Sequence, residues 1–214
     1  MTQNNLPVIG ITGGVGSGKS VVMDILSEEY GGAVILADQV GHDLMQPGAV
    51  SYRQIISHFG REILGEDGQI NRQALAAIVF SDEAKLKELN GITHPNIRRE
   101  IIERIKGFRT GGEHPFIALE AALLIEGGYE EITDELWYIY VTEGNRIKRL
   151  MAARGYSEEK CRAIISSQLS DTVFRQHCRT IIDNNGSVEE TRRSVAAALL
   201  KSGIIKEYTE DEMA

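Results

Sequence analysis

The sequence predicts an α/β fold: a mostly parallel sheet between two helical layers, three layers in all, with a phosphate-binding loop after the first strand. Three observations carry this. The stretch VIGITGGVGSGKSV, residues 8–21, passes from an apolar run through glycines into helical spacing at Val22, Ile25 and Leu26. Short apolar runs then recur between amphipathic segments, at Ala33–Leu36, Phe116–Leu119, Leu136–Val141 and Thr180–Ile182, the alternation that builds parallel sheets. Finally, acids follow two of those runs, Asp38 and Glu120, on the carboxyl side where open α/β sheets hold ligands.

Gly13, four intervening residues and Gly18-Lys19-Ser20 form the Walker A or P-loop pattern. Its glycines allow backbone N–H groups to turn inward around a polyphosphate. Lys19 is a point charge for the β- and γ-phosphates, Ser20 offers a hydroxyl to Mg²⁺, and the following helix presents its N-terminus to the anion. A glycine-rich turn that binds nothing is the alternative. The order strand, loop, helix argues against it.

Length and composition narrow the class. The 214 residues make one large domain, or one with an inserted lid. With 23 basic against 31 acidic residues the net charge is −8, which excludes a basic nucleic-acid face and leaves an anionic ligand to local geometry. Cys161 and Cys178 lack metal-ligand spacing and suit a reducing compartment. No run approaches the ~20 apolar residues of a membrane span, and MTQNNLP has no leader pattern, so a cytoplasmic protein is expected.

Along the chain, the first helix should end near Tyr30 at Gly31-Gly32. Asp38 is either the cap of a helix over Gln39–Met45 or a carboxylate facing the cleft, and position alone favours neither. A helix is expected from Ser51 to Leu64, another over Arg72–Phe80 capped by Asn71, and a third near Asp82 capped by Ser81. The absence of strands makes residues 50–112 a helical lobe suited to an acceptor. Within it, Pro95 is expected to open a helix with His94 at its start. A lone histidine also fits a structural role, and Arg98 and Arg99 also fit a solvated face. A polar loop is expected from Gly107 to His114. Glu120 stands where a carboxylate orients Mg²⁺, and Glu126, beside Gly127-Gly128, is either a cleft residue or an exposed loop acid.

Thr142 is a cap for the basic helix Arg146–Arg154; Gly155 breaks it, and Ser157 opens another helix to about Leu169. A lid over residues 145–175 follows, able to bring Arg149 and Arg154 over phosphate; ordinary i,i+4 surface pairing is the alternative. Ser187 starts the last helix, and the acidic tail Tyr208–Ala214 is expected to fray. A GTPase would need Asn-Lys-x-Asp, which is absent. A transporter or motor ATPase would end its second motif in Asp-Glu, whereas Ala121 follows Glu120. A small-molecule kinase remains, and another nucleoside or small-metabolite kinase of the P-loop type is its nearest alternative.

The chain resembles the dephospho-coenzyme A kinase family over nearly its whole length, from about Val8 to about Leu200. The resemblance is carried by ITGGVGSGKS at residues 11–20, Ala37-Asp38, His58-Phe59-Gly60, the stretch from Leu89 to Arg98 with His94-Pro95, Leu123-Leu124-Ile125-Glu126, and IDNNGS at residues 182–187. It implies a five-stranded parallel sheet with a helical substrate domain and a lid. It also implies ATP and Mg²⁺ as cofactors, dephospho-coenzyme A as substrate, no nucleic-acid or membrane partner, and a monomer or weak homo-oligomer. Carried over by position, Lys19, Asp38 and Arg149 are catalytic, with Asp38 meeting the acceptor hydroxyl. Gly14 to Val21 (Val15, Gly16, Ser17, Gly18 and Ser20 included), with Arg154, Asn184 and Gly186, hold ATP, the Asn184-Asn185-Gly186 turn lying by the adenine. Asp38, His94, Arg98 and Glu126 hold the substrate, and Ser20 with Glu120, in place of a family Asp, hold the metal. The chain departs from the family at Val21, where Thr is usual and a backbone N–H can serve instead. It departs also at Ala122, at Cys178-Arg179, and at Ala153, where the lid arginine falls one residue later, at Arg154.

Overall fold

The computed structural model describes residues 6–206; the acidic tail and residues 1–5 lie outside the described residues. Five strands, β1 Val8–Thr12, β2 Ala33–Leu36, β3 Ile117–Glu120, β4 Glu135–Tyr140 and β5 Thr180–Asp183, form a sheet in the order β2-β3-β1-β4-β5. The helices are α1 Lys19–Asp24, α2 Ala37–Leu44, α3 Val50–Phe59, α4 Arg72–Phe80, α5 Glu83–Gly111, α6 Glu143–Arg154, α7 Glu158–Ser166, α8 Asp171–His177 and α9 Val188–Lys201. The chain divides into two compact units, one of residues up to Ile35 and from Gly107 onward, the other Leu36–Lys106. No described helix is long and apolar enough to cross a membrane.

In the first unit β1 is central and buried at every position, as a β-branched run flanked by strands on both edges should be. It pairs in parallel with β3, Val8 opposite Ile117, and with β4, Gly10 opposite Leu136. Alternation divides its side chains. Ile9 and Ile11 join Trp137, Ile139 and Ile182 against Val22 of α1 and Leu26 of the turn that follows it, and against Val195 and Leu199 of α9. On the other face Gly10 lies against Leu136, Leu124 and Thr133, where a side chain would collide. Asp134 fixes the lower end: its N–H donates to the Val8 carbonyl, and its carboxylate accepts from the Val8 N–H at 2.8 Å. Ser187 and Glu190 form a reciprocal capping box at the start of α9. The first helix ends at Tyr30 as expected, but its last turn, Ile25–Glu29, is π-helical.

The second unit is helical around Ile55, Ile63, Leu75 and Val79. Asn71 caps α4 by accepting from the Gln73 and Ala74 N–H groups. Several expectations are corrected here. Helix α3 stops at Phe59 rather than Leu64, because Gly60 takes φ 87°. Asp82, not Ser81, caps α5: its carboxylate accepts from the Ala84 N–H, while the Ser81 hydroxyl donates back to Ile78. Pro95 lies inside α5 and opens nothing. A proline there costs about 3 kcal/mol, but Leu86, Leu89 and Ile92 pack on the core before it, and Asn96, Ile101 and Ile105 are buried after it. Burial on both flanks outweighs the break.

Helix α5 also continues through Gly107 to Gly111, where a loop was expected; Gly112, at φ 65°, ends it. In the first unit α7 ends at Ser166, short of Leu169, and a separate helix α8 follows, capped by Ser170.

Candidate active site

The loop between β1 and α1 is shaped by its glycines. Gly16 and Gly18 take φ of 77° and 78°, conformations that L side chains rarely adopt. Gly14 and Gly18 also have no room: a side chain would strike the Arg146 guanidinium at the first and the Asn184 amide at the second. Lys19 is held from two sides, its Nζ donating to the Gly13 carbonyl at 3.0 Å and lying 3.5 Å from Glu120 Oε1. Glu120 closes β3 beside β1, with Ile11 as its register partner. The carboxylate at the strand end therefore stands by the loop lysine, and Ser20 is exposed on the first turn of α1.

Not every loop amide is available. The Val15 N–H donates to Gln168 Oε1 at 3.0 Å, and those of Ser17 and Val21 close turns onto Gly14 and Gly18 at 3.1 Å each. The Val21 N–H is thus used inside the turn that starts α1, and a backbone N–H that serves in place of the missing hydroxyl must be another one. The first turn of a helix leaves its N–H groups without intrahelical partners, which puts Lys19 and Ser20 among the donors a phosphate can use.

Helix α6 flanks the loop. Arg149 donates to the Asn184 carbonyl at 2.6 Å and reaches the Ser17 carbonyl at 3.5 Å. Asn184 is buried, its amide donating to the Ser17 carbonyl at 2.7 Å and its oxygen accepting from the Thr191 hydroxyl at 2.7 Å. Asn185 accepts from the Thr142 N–H and from Asn145, and Gly186 is exposed. The structure therefore brings Lys19, Glu120, Arg149 and Asn184 to one loop. It leaves Arg154 exposed at the last residue of α6, and Glu126 exposed in the turn after β3.

Two residues of this site escaped the sequence reading. Arg146 is buried, its Nε donating to the Val15 carbonyl at 2.8 Å and its terminal nitrogen to Gln168 Oε1. Burial holds its guanidinium below the usual arginine range. One signal was present: Arg146 stands three residues ahead of Arg149, hence on the same helix face. Gln168 sits in a turn and gave none. The two cysteines stay outside the chemistry; burial pushes the Cys178 thiol up to about 12, and Cys161 is enclosed.

In the second unit Asp38 occupies the first turn of α2, and Leu36 is the cap position, with no side-chain cap bond. The capping alternative for Asp38 is therefore set aside. Its exposed carboxylate lines a cavity of about 530 Å³ together with His42, Arg72, Phe80 and His94. His94 is exposed in mid-helix, not at a helix start, and Arg98 is partly buried one turn further along α5.

A sequence profile of dephospho-CoA kinase matches residues 7–190. The dephospho-CoA kinase of Carboxydothermus hydrogenoformans is 42% identical over 92% of this chain and 94% of its own length. That of Geobacter sulfurreducens is 39% identical over 88% and 94%. Among solved structures, dephospho-CoA kinase from Campylobacter jejuni superposes with a TM-score of 0.69 at 25% identity, covering 92% of this chain and 98% of that one. A Thermus thermophilus crystal structure gives a TM-score of 0.76 at 30% identity, with 92% and 97% covered. With a nucleotide loop, a carboxylate beside its lysine and matches that span the chain, the protein belongs to the dephospho-CoA kinase family.

Proposed function

We propose that the protein transfers the γ-phosphoryl group of ATP to the ribose 3′-hydroxyl of dephospho-coenzyme A, giving coenzyme A and ADP, the last step of coenzyme A biosynthesis. The observation that carries this is Lys19, set between the Gly13 carbonyl and Glu120 in a chain that matches the family from residue 7 to 190. A phosphoryl transfer asks a protein mainly for positioning and charge stabilisation. The amides at the start of α1 hold the phosphates, and Lys19 draws charge from the β- and γ-oxygens. Arg149, based on the loop, neutralises the group in transfer. Asp38 orients the acceptor hydroxyl and takes its proton as the new P–O bond forms and the bond to the β-phosphate breaks.

Mg²⁺ would be held by Ser20 and Glu120 and would supply charge neutralisation at the β- and γ-oxygens. The donor set fits a magnesium ion brought in with nucleotide, which takes one or two protein oxygens and keeps phosphates and water. Among the described residues no group of three or more His, Cys, Asp or Glu forms a cage of its own. Within the substrate set, His94 is supported by the cavity it shares with Asp38. Arg154, Gly186, Arg98 and Glu126 enter on the family resemblance alone.

The test is direct. Purified protein with ATP, Mg²⁺ and dephospho-coenzyme A should release ADP and a 3′-phosphorylated product, and Lys19→Ala should lower turnover by about 10²-fold or more. No product, or a Lys19→Ala protein with near-normal turnover, would refute the reading. Faster turnover on a nucleoside or another small metabolite would transfer it to a different kinase reaction.

A further inference from the structure

Gln168, in the turn between α7 and α8, offers one oxygen to two donors, the Val15 N–H and the Arg146 guanidinium. The Nε of Arg146 donates in turn to the Val15 carbonyl at 2.8 Å. Both main-chain polar groups of Val15 are therefore committed, and Gly14 packs directly onto the guanidinium. The apex of the loop is thus held from outside by residues far from it in sequence.

The charge of this clamp is unusual. Arg146 is only 9% exposed, yet among the described residues its hydrogen bonds go to neutral groups, with no carboxylate at ion-pair distance. The acid on its own helix, Glu143, is exposed and paired with Arg162 at 2.9 Å. The groups of acidic type that act on it are Tyr138 and Glu143, and Tyr138 is neutral at ordinary pH; Arg149, on the same helix face, adds a second positive charge. A buried charge is costly unless it is paired. Here the negative charge that would pair it is the polyphosphate the loop is built to hold.

We propose that Arg146 is a positioning residue which, together with Gln168, fixes the loop apex and lends the nucleotide site a buried positive charge with no carboxylate of its own. This rests on the reading of residues 13–20 as the nucleotide cradle.

The experiment measures ATP dissociation constants, both Michaelis constants and melting temperatures for Arg146→Ala, Arg146→Lys and Gln168→Glu. Hydrogen bonds to charged groups are worth enough that Arg146→Ala should weaken ATP binding about tenfold or more. The KM for dephospho-coenzyme A should stay unchanged, and Arg146→Lys should recover part of the loss. Gln168→Glu is the sharper probe. A carboxylate still accepts both hydrogen bonds but neutralises the guanidinium, so the melting temperature should hold or rise while ATP binding weakens about fivefold. A purely structural clamp would do the reverse, lowering the melting temperature in Arg146→Ala and leaving ATP binding alone. ATP binding within twofold of wild type in Gln168→Glu overturns the proposal, as does an equal rise in both Michaelis constants. If Arg146→Ala fails to fold, Gln168→Glu alone decides. Should these variants bind ATP normally while Lys19→Ala loses transfer, the inference fails and the nucleotide cradle stands.

Discussion

Replacing Asn184 by alanine removes a side chain that ties the phosphate loop to α9. Its amide donates to the Ser17 carbonyl at 2.7 Å, its oxygen accepts from Thr191 at 2.7 Å, and the residue is 5% exposed. Neither partner is left wholly bare by the change. The Ser17 carbonyl keeps a long contact from Arg149 at 3.5 Å, and the Thr191 hydroxyl also donates to the Ser187 carbonyl at 3.2 Å. The cost is therefore two lost buried hydrogen bonds of about 1 kcal/mol each plus a small cavity, about 2–3 kcal/mol together. For a chain of this length that is a fall of roughly 4–12 °C in melting temperature, readable by calorimetry or circular dichroism. The loop should loosen with the strut, so ATP affinity should fall as well. Thr191→Val breaks one of the two bonds and leaves the buried Asn184 oxygen without that donor, so it should give a comparable stability loss, but with near-normal ATP affinity because the Asn184 amide still holds the Ser17 carbonyl. A melting temperature unchanged within a degree, with ATP affinity alone reduced, would show that Asn184 serves the nucleotide directly rather than bracing the loop.

Asp38→Asn should lower turnover by about 10²-fold while leaving ATP affinity unchanged, since it removes the charge proposed to receive the acceptor proton; steady-state kinetics with nucleotide titration checks both. Arg149→Ala should lower turnover more than it weakens ATP binding, and Arg154→Ala, altering an exposed helix end, should change turnover less. Glu190 is held below the usual carboxylate range by hydrogen bonds from the Ser187 backbone and side chain. A carboxylate depressed in the folded state stabilises it above the unfolded value and loses that contribution as pH falls through the folded one. Wild type should therefore exceed Glu190→Gln in melting temperature at neutral pH, with the gap closing as the pH drops below 4.5. A constant gap from pH 7 to pH 3 would show that the capping carboxylate is not the titrating group.

What could be read ahead of the structure was local. The P-loop, the five strands and the caps at Asn71, Ser157 and Ser187 depend on neighbours within a few residues, and each stands where its pattern placed it. Pro95 misled because its intrinsic preference is local, whereas the burial of Ile101 and Ile105 that overrides it is tertiary. Asp38 resembled a cap because Asp favours that role, but the helix begins one residue earlier, at Ala37. Arg146 and Gln168 were hidden for another reason. They meet Val15 across separations of 131 and 153 residues, and no short window holds both ends of such a contact.

The central place of β1 has a consequence for the chain during synthesis. The strand is made first, yet its two neighbours in the sheet begin at Ile117 and Glu135, and the Val8 amide is closed by Asp134, 126 residues downstream. At about 5–20 residues per second a ribosome takes roughly 6–25 s to supply those partners, and the exit tunnel adds to the wait. Throughout that interval an apolar β-forming segment, VIGIT, has no native edge to pair with. The intervening Leu36–Lys106 unit carries its own apolar core and can collapse meanwhile. The nascent chain thus carries a bare sheet strand while that unit gathers its own core, and the strand is where a chaperone would find its handle.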